Sequence, residues 1–230
     1  MDSSLIGAVV GLHAEARLLH GLGFRIGVGG GSHAGAEAAA RRLVAEGVQA
    51  LVSFGLAGGL QPALRHGRIL IPGEIILPTG ERFPTDPELS RRLGGATRHA
   101  VLGGDQVITG RRAKNLLWKI TGAAAVDLES GAIAKVAAEF GLPCAALRVI
   151  CDPAGRGLPP AVLAALDPDG KIALPPVLRA LAANPLLLRD LLRLAADAFI
   201  ARRALVRHVR GLRKIGRSAG EADQPAGRGA

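Results

Sequence analysis

Short runs of aliphatic and β-branched residues alternate along this chain with segments of helical periodicity, and that alternation limits the possible folds more than any other feature. The strand-like runs are Leu5–Val10, Phe24–Val28, Ala50–Phe54, Ile69–Ile71 with Glu74–Leu77, Val101–Leu102 with Val107–Ile108, Ala123–Val126 and Ala145–Ile150. Helical patterns occupy His33–Glu46, Arg111–Trp118 and Ser130–Phe140, and Ser32 stands where a cap for the first of them belongs. Alternation of this kind predicts an α/β fold with a central, largely parallel sheet flanked by helices. In such folds ligands bind beyond the carboxyl ends of the strands, where the loops gather.

Three segments depart from the pattern. Thr79–Ser90 reads as a surface loop, and residues 153–176 hold Pro153, Pro159, Pro160, Pro168, Pro175 and Pro176, which predicts a turn-rich connector. Beyond Pro185 a long helix is expected, with Leu187, Leu191, Leu194, Ala198, Ala201, Leu205, Val209 and Leu212 on one side. Its other side carries Arg189, Arg193, Arg203, Arg207, Arg210 and Lys214. The expected organisation is a main α/β domain over 1–174, a basic amphipathic extension over 175–215 and a disordered tail over 216–230.

Charge follows the same division. Residues 1–174 hold 18 Lys and Arg against 15 Asp and Glu, whereas residues 175–230 hold 11 against 4. The excess therefore describes an attachment surface rather than a catalytic centre. Packing on its own domain or on a sister subunit is the ordinary use of such a helix; contact with an anionic membrane surface is the functional one. Nucleic acid is not expected, because no aromatic residues interleave the arginines.

Several classes are excluded. With 49% apolar and 21% charged residues the chain is not a disordered polymer. The longest uncharged stretch, Gly47 to Leu64, is interrupted by glycines and a proline and cannot span a membrane. The start, Met-Asp-Ser-Ser, lacks the basic beginning of a signal peptide, so a cytoplasmic protein is expected. In an extended segment Cys144 and Cys151 would lie about 23 Å apart, too far for a disulfide. Neither they nor the histidines show metal spacing, and no metal or cofactor is expected.

Two glycine motifs need weighing. Gly27-Val28-Gly29-Gly30-Gly31-Ser32 opens a helix, but it follows the second strand and no acid ends the next one, as a dinucleotide fingerprint requires. It reads as a turn that admits a close ligand or a neighbouring strand. Gly216-Arg217-Ser218-Ala219-Gly220 matches a nucleophile elbow only formally, since it lies in a polar tail. More informative are Glu15, Glu129 and Asp152, each following an apolar strand or opening a helix. Alone, each reads as a loop acid or a helix cap. Three at one sheet edge suit glycosidic cleavage, with a base for water, an acid for the leaving group and an acceptor for sugar hydroxyls.

At these residues the chain resembles the nucleoside phosphorylase and nucleosidase superfamily, which contains methylthioadenosine/S-adenosylhomocysteine nucleosidase. The resemblance is carried by Val10–Leu19, Ser53–Leu60 with Gly67, Ala125–Ser130 and Ala146–Asp152, in order and spacing across residues 5–155. It is narrower with the hopanoid-associated phosphorylase branch, through Ser53–Leu64, the stretch from Asp152-Pro153-Ala154 to Asp167-Pro168-Asp169-Gly170, and the Arg/Leu-rich C-terminus. The resemblance implies a three-layer α/β/α fold with a mixed, partly barrel-like sheet, a homodimer, and release of adenine from a 5′-substituted adenosine. On the branch it implies a lipid-linked substrate, adenosylhopane, converted to ribosylhopane. Phosphorolysis, a methylthioadenosine/S-adenosylhomocysteine nucleosidase activity, and a non-catalytic nucleoside- or lipid-binding protein on the same fold are the alternatives.

By that resemblance Glu15 would activate water and Asp152 would protonate adenine N7. Glu129 would bind the ribose 2′ and 3′ hydroxyls with Leu128 against the sugar, and Arg148 would steady the ribose side or Glu129. Ala57, Gly58, Val107 and Ile108 would line the base pocket. Burial beside Val149 and Ile150 would raise the pKa of Asp152 toward the range a proton donor needs. Arginines that clamp phosphate in phosphorolytic relatives are replaced by Ser53 and Leu56, which favours water as the nucleophile. Val107 stands in place of a stacking aromatic, Leu56 in place of a serine near the 5′ side, and Cys151 in place of a serine beside the acid.

Overall fold

The computed structural model describes residues 2–157 and 187–222. The expected 174 boundary, the connector beyond residue 157 and residues 223–230 lie outside the described residues. Strands β1 (Ile6–Val10), β2 (Arg25–Val28), β3 (Ala50–Gly59), β4 (Ile69–Leu70), β5 (Glu74–Ile76), β6 (Arg82–Pro84), β7 (Ala100–Gly103), β8 (Ala125–Asp127) and β9 (Cys144–Asp152) form one mixed sheet. Helices α1 (His13–Leu19), α2 (His33–Ala45), α3 (Pro87–Arg92), α4 (Arg111–Thr121), α5 (Ser130–Glu139) and α6 (Leu187–Ala222) flank it.

Side-chain alternation sorts the strands into two faces. Ile6, Ala8, Val10, Val52, Phe54, Leu147 and Val149 pack with Leu19 of α1, Leu89 of α3 and Ala201, Leu205 and Val209 of α6. Val9, Leu51 and Ala146 turn the other way, onto Ala36, Ala39, Ala40 and Leu43 of α2 and onto Ile133 and Val136 of α5. Three layers follow: helices, sheet, helices.

The long strand β3 organises the sheet. Its first residues pair in parallel with β1, its length pairs in parallel with β9, and Gly58 and Gly59 turn to pair antiparallel with Val126 and Ala125 of β8. Exchanging neighbours part-way along one strand curls the sheet toward a barrel. Between β3 and β9 the register shifts, so that Ala57 faces Ile150 while Gly58 faces Asp152, and Cys151 is the extra residue. A bulge of this kind re-aims the side chain that follows it, here Asp152.

The glycine turn before α2 serves packing. A β-carbon at Gly29 would stand 2.8 Å from the Ala36 α-carbon, so the turn admits the helix itself rather than a ligand. Ser32 caps α2 by accepting a hydrogen bond from the Gly35 N–H at 3.2 Å.

One helix is added to those expected, and two local readings are corrected. His13–Leu19 is helical because Glu15 folds back onto the N–H groups of Gly11 and Leu12, a cap supplied from inside the helix. The segment read as a loop over Thr79–Ser90 contains β6 and the start of α3, which Asp86 caps through the Leu89 N–H at 2.7 Å. Val107 and Ile108 are not strand: β7 ends at Gly103, where a β-carbon would meet the Gly131 nitrogen at 2.3 Å as α5 closes in. Helix α6 spans Leu187–Ala222.

Packing decides where α6 lies. Ala201, Leu205 and Val209 are buried, His208 meets the Leu93 carbonyl at 2.6 Å, and Arg213 donates to the Leu18 and His20 carbonyls at the end of α1. The C-terminal helix thereby clamps the short helix that carries Glu15. Among the described residues no helix is long and apolar enough to cross a membrane.

Candidate active site

Glu15, Glu129 and Arg148 come together at the carboxyl edge of the sheet. Arg148 has no exposed side-chain surface; its Nη1 is 3.0 Å from Glu129 Oε2 and its Nε 3.1 Å from Asp127 Oδ2. It also donates to the hydroxyls of Ser130 and Ser53. Glu15 Oε2 accepts from the Gly11 and Leu12 N–H groups at 3.0 and 2.9 Å.

Two glycines make room for this convergence. A β-carbon at Gly11 would stand 2.3 Å from Glu129 Oε1 and 3.4 Å from Glu15 Oε2, and one at Gly55 would stand 2.8 Å from Arg148 Nη1 and 2.9 Å from Glu15 Oε1. Any larger residue at either place would push the charged groups apart.

Burial raises both glutamates. Glu15 is pushed up by loss of water, with its two backbone donors and Arg148 pulling the other way. Glu129 is pushed up to about 7, again mainly by burial; Arg148 opposes the rise, and the neighbouring Glu15 and Asp127 charges add to it. Burial lowers Arg148, but Asp127, Glu129 and Glu15 outweigh it, so its net shift is upward. A buried carboxylate held near neutrality can take or give a proton at physiological pH.

Asp152 belongs to a second ion pair, on the strand next to Gly58. A β-carbon at Gly58 would be 3.8 Å from its Oδ2, so Glu15 and Asp152 approach β3 at positions about 10 Å apart along the strand. Its partner is Lys114 of α4, which is fully enclosed. Burial raises the Asp152 pKa, as its sequence neighbours predict, while Lys114 pulls it down, a counterweight that those neighbours do not reveal. Asp152, Arg111, Arg156, Arg193 and Asp197 line a cleft of about 390 Å³.

The remaining candidates are spread around this edge. Ala57 is buried in a small apolar cluster with Ile150, and Gly58 is half-buried at the bulge. Leu128 is half-buried between Asp127 and Glu129. Val107 and Ile108 lie in the irregular segment before α4, where Ile108 packs on the Leu60, Ile76 and Val126 cluster. Cys151 is free, and burial pushes its thiol up to about 12, which disfavours the thiolate. Among the described residues no group of three His, Cys, Asp or Glu could hold a metal ion.

Lys114, Asp127, Ser130, Arg156 and Asp197 were not singled out from the sequence as site groups. Asp127 was within reach of such reasoning, since it ends an apolar strand just as Asp152 does. Lys114 was not, because α4 exposes Leu116 at 57% and Ile120 at 70% while it buries the lysine.

Residues 17–168 match the family described as the phosphorylase superfamily, two thirds of the chain. The chain belongs to the phosphorylase superfamily. Its fold is that of a nucleosidase in complex with methylthio-immucillin-A, the 5′-methylthioadenosine/S-adenosylhomocysteine nucleosidase of Neisseria meningitidis: TM-score 0.59 at 20% identity, over 65% of this chain and 86% of that one. A futalosine hydrolase mutant of Helicobacter pylori gives a TM-score of 0.57 at 18% identity, over 63% of this chain and 88% of that one. By sequence this superfamily member is 29% identical over 155 residues to 5′-methylthioadenosine/S-adenosylhomocysteine nucleosidases of Mycobacterium bovis and Mycobacterium tuberculosis, covering 47% of this chain. The match spans 61% of those relatives, less than two thirds of their length.

Proposed function

We propose that this protein hydrolyses the N-glycosidic bond of a 5′-substituted adenosine and releases adenine. The observation that carries this reading is the joint approach of Glu15 and Arg148 to Gly55, with Glu129 on the same guanidinium and Asp152 on the adjoining strand. Glu15 takes a proton from water as its oxygen attacks the anomeric carbon. Glu129 accepts the ribose hydroxyls, with Leu128 against the sugar, and Arg148 fixes Glu129. Asp152 gives its proton to N7, so the base departs neutral. Ala57, Gly58, Val107 and Ile108 border the base. Buried carboxylates beside the anomeric carbon also stabilise the cationic sugar of the transition state.

Water is favoured over phosphate by two positions. The Ser53 hydroxyl is engaged by Arg148, and Leu56 packs on the apolar cluster beneath the sheet, so neither resembles a bidentate phosphate clamp. The relatives named as nucleosidases and as futalosine hydrolase support the same choice.

The finer reading is that the 5′ substituent is a lipid, as in adenosylhopane. It is supported by the branch resemblance, by Leu56 in place of a polar residue, and by α6, whose solvent side carries Leu188, Leu192 and Phe199 at 51%, 62% and 56% exposure. Exposed arginines, Arg189, Arg202, Arg203, Arg207 and Arg210, accompany that row. An apolar row among arginines is complementary to an anionic bilayer surface, and that is the occupant of this face. Cosedimentation with phosphatidylglycerol vesicles, lost in Phe199→Glu and weakened by salt, is expected; equal pelleting of the variant would refute it. The homodimer that accompanies this reading is checked by analytical ultracentrifugation.

The activity is tested by incubating the full chain with adenosylhopane and with 5′-methylthioadenosine, with and without phosphate, and measuring free adenine and the sugar product. Adenine with an unphosphorylated sugar is expected, abolished in folded Glu15→Gln and Asp152→Asn. Turnover that consumes phosphate stoichiometrically would overturn hydrolysis, and absence of adenine from both would overturn the reading.

A further inference from the structure

Among the described residues Lys114 is a fully enclosed charge. Helix α4 turns this lysine inward and leaves Leu116 and Ile120 in solvent, against the polarity that drives helices onto a core. Burying an ammonium is costly without full compensation. Compensation comes almost entirely from one short stretch of chain: Nζ contacts Asp152 Oδ2 and the carbonyls of Asp152, Pro153 and Arg156, the last at 3.2 Å. The lysine thus wraps the bulged end of β9 around itself.

We infer that Lys114 is a positioning residue for proton donation: it fixes the Asp152 carboxyl at the bulge and neutralises the anion left when Asp152 gives up its proton. The inference rests on the proposed role of Asp152. As the C–N bond breaks, its electron pair goes to the base and the Asp152 proton goes to N7. Asp152 becomes a carboxylate facing the Lys114 side chain. Of the other charges near Asp152, Arg156 pulls its pKa the same way as Lys114 but less, and Asp197 pulls it the opposite way. Arg156, on the loop after β9, is paired with Asp197 of α6, and Asp197 is also 3.3 Å from His66. Arg111 of α4 and Arg193 of α6 line the same cleft. Cys151, next in chain, stays a thiol. Burial raises the Asp152 pKa and the lysine opposes that rise.

The test compares the full-length protein with Lys114→Met, Lys114→Gln and Lys114→Arg, each checked for folding by thermal melt. Carbon-13 carboxyl NMR, with the Asp152 signal assigned by its loss in Asp152→Asn, gives its titration midpoint. The pH dependence of adenine release from 5′-methylthioadenosine gives kcat and KM. A neighbouring cation lowers an acid by one to three pH units, so the Asp152 midpoint should rise by about one unit or more in Lys114→Met. The high-pH limb of kcat should move upward with it while KM stays within about twofold, and Lys114→Arg should restore both. Lys114→Gln, which still donates to the carbonyls, gives the same reading if the methionine variant does not fold. An unmoved midpoint in either folded variant overturns the inference. So does an unmoved limb in an enzyme whose Asp152→Asn variant is inactive, and the glycosidase reading then survives. If no adenine is released at all, the glycosidase reading fails by itself, and the NMR midpoint still decides whether Lys114 governs Asp152.

Discussion

Arg148 Nη1 lies 3.0 Å from Glu129 Oε2, and the arginine has no exposed surface. One guanidinium there faces three carboxylates, those of Glu15, Asp127 and Glu129. With all three ionised the enclosed cluster would carry a net negative charge, which burial opposes. Burial is the main cause of the rise of Glu129 to about 7, and the Glu15 and Asp127 charges add to it.

Removing the guanidinium should therefore unbalance the whole cluster. Arg148→Met is expected to destabilise the fold by about 3–5 kcal/mol, the cost of stranding buried charges after one partner is deleted. Urea unfolding at pH 7 measures it, and a loss below about 1 kcal/mol would contradict the enclosed geometry.

The Glu129 carboxyl links stability to pH in a definite direction. Its value is raised in the folded chain to about 7 from an ordinary 4.5, so the native state holds a proton that the unfolded state releases. That contribution is fully present below the ordinary value and is lost as pH rises through about 7. Relative to Glu129→Gln, the parent protein should lose thermal stability between pH 5 and pH 8. A constant difference across that range would mean that Glu129 titrates normally.

Gly11 is held small by the glutamates. In Gly11→Ala the new β-carbon would be 2.3 Å from Glu129 Oε1, so the carboxylate must leave its place on Arg148. Misplacement of a substrate-positioning group by about 1 Å costs roughly 100-fold in rate, and kcat/KM for adenine release is expected to fall by about that factor. Gly211→Ala is the control, since α6 leaves open space there; a helical Gly→Ala change should stabilise the protein by up to about 1 kcal/mol.

Cys151 is the residue inserted at the bulge beside Asp152, yet its thiol is pushed up to about 12. Alkylating reagents at pH 7.5 should leave the activity intact, and Cys151→Ser should retain most of it. Rapid inactivation by iodoacetamide, prevented in Cys151→Ser, would show a thiolate that this environment does not favour.

Much of the architecture is written locally. The period-2 alternation of Ile6, Ala8 and Val10 against Val9 sends those side chains to opposite faces of the sheet, and Ser32 marks the start of α2. Strand ends identify Glu129 and Asp152 because an acid directly after an apolar run must emerge at the sheet edge. Periodicity misleads where a local device overrides it, as when Glu15 caps its own helix or when Gly103 yields to α5.

By itself, then, the sequence determined the layers, the edge at which the acids gather and the apolar stripe of α6, because each depends on side-chain spacing within one element. Only the tertiary structure decided that Arg148 meets Asp127 and Glu129 together and that Lys114 turns inward to Asp152. Those pairings depend on the register between β3 and β9, on the bulge at Cys151 and on the seating of α4. Such features arise when segments distant in the chain close one sheet, and no local pattern encodes the partner of a buried charge.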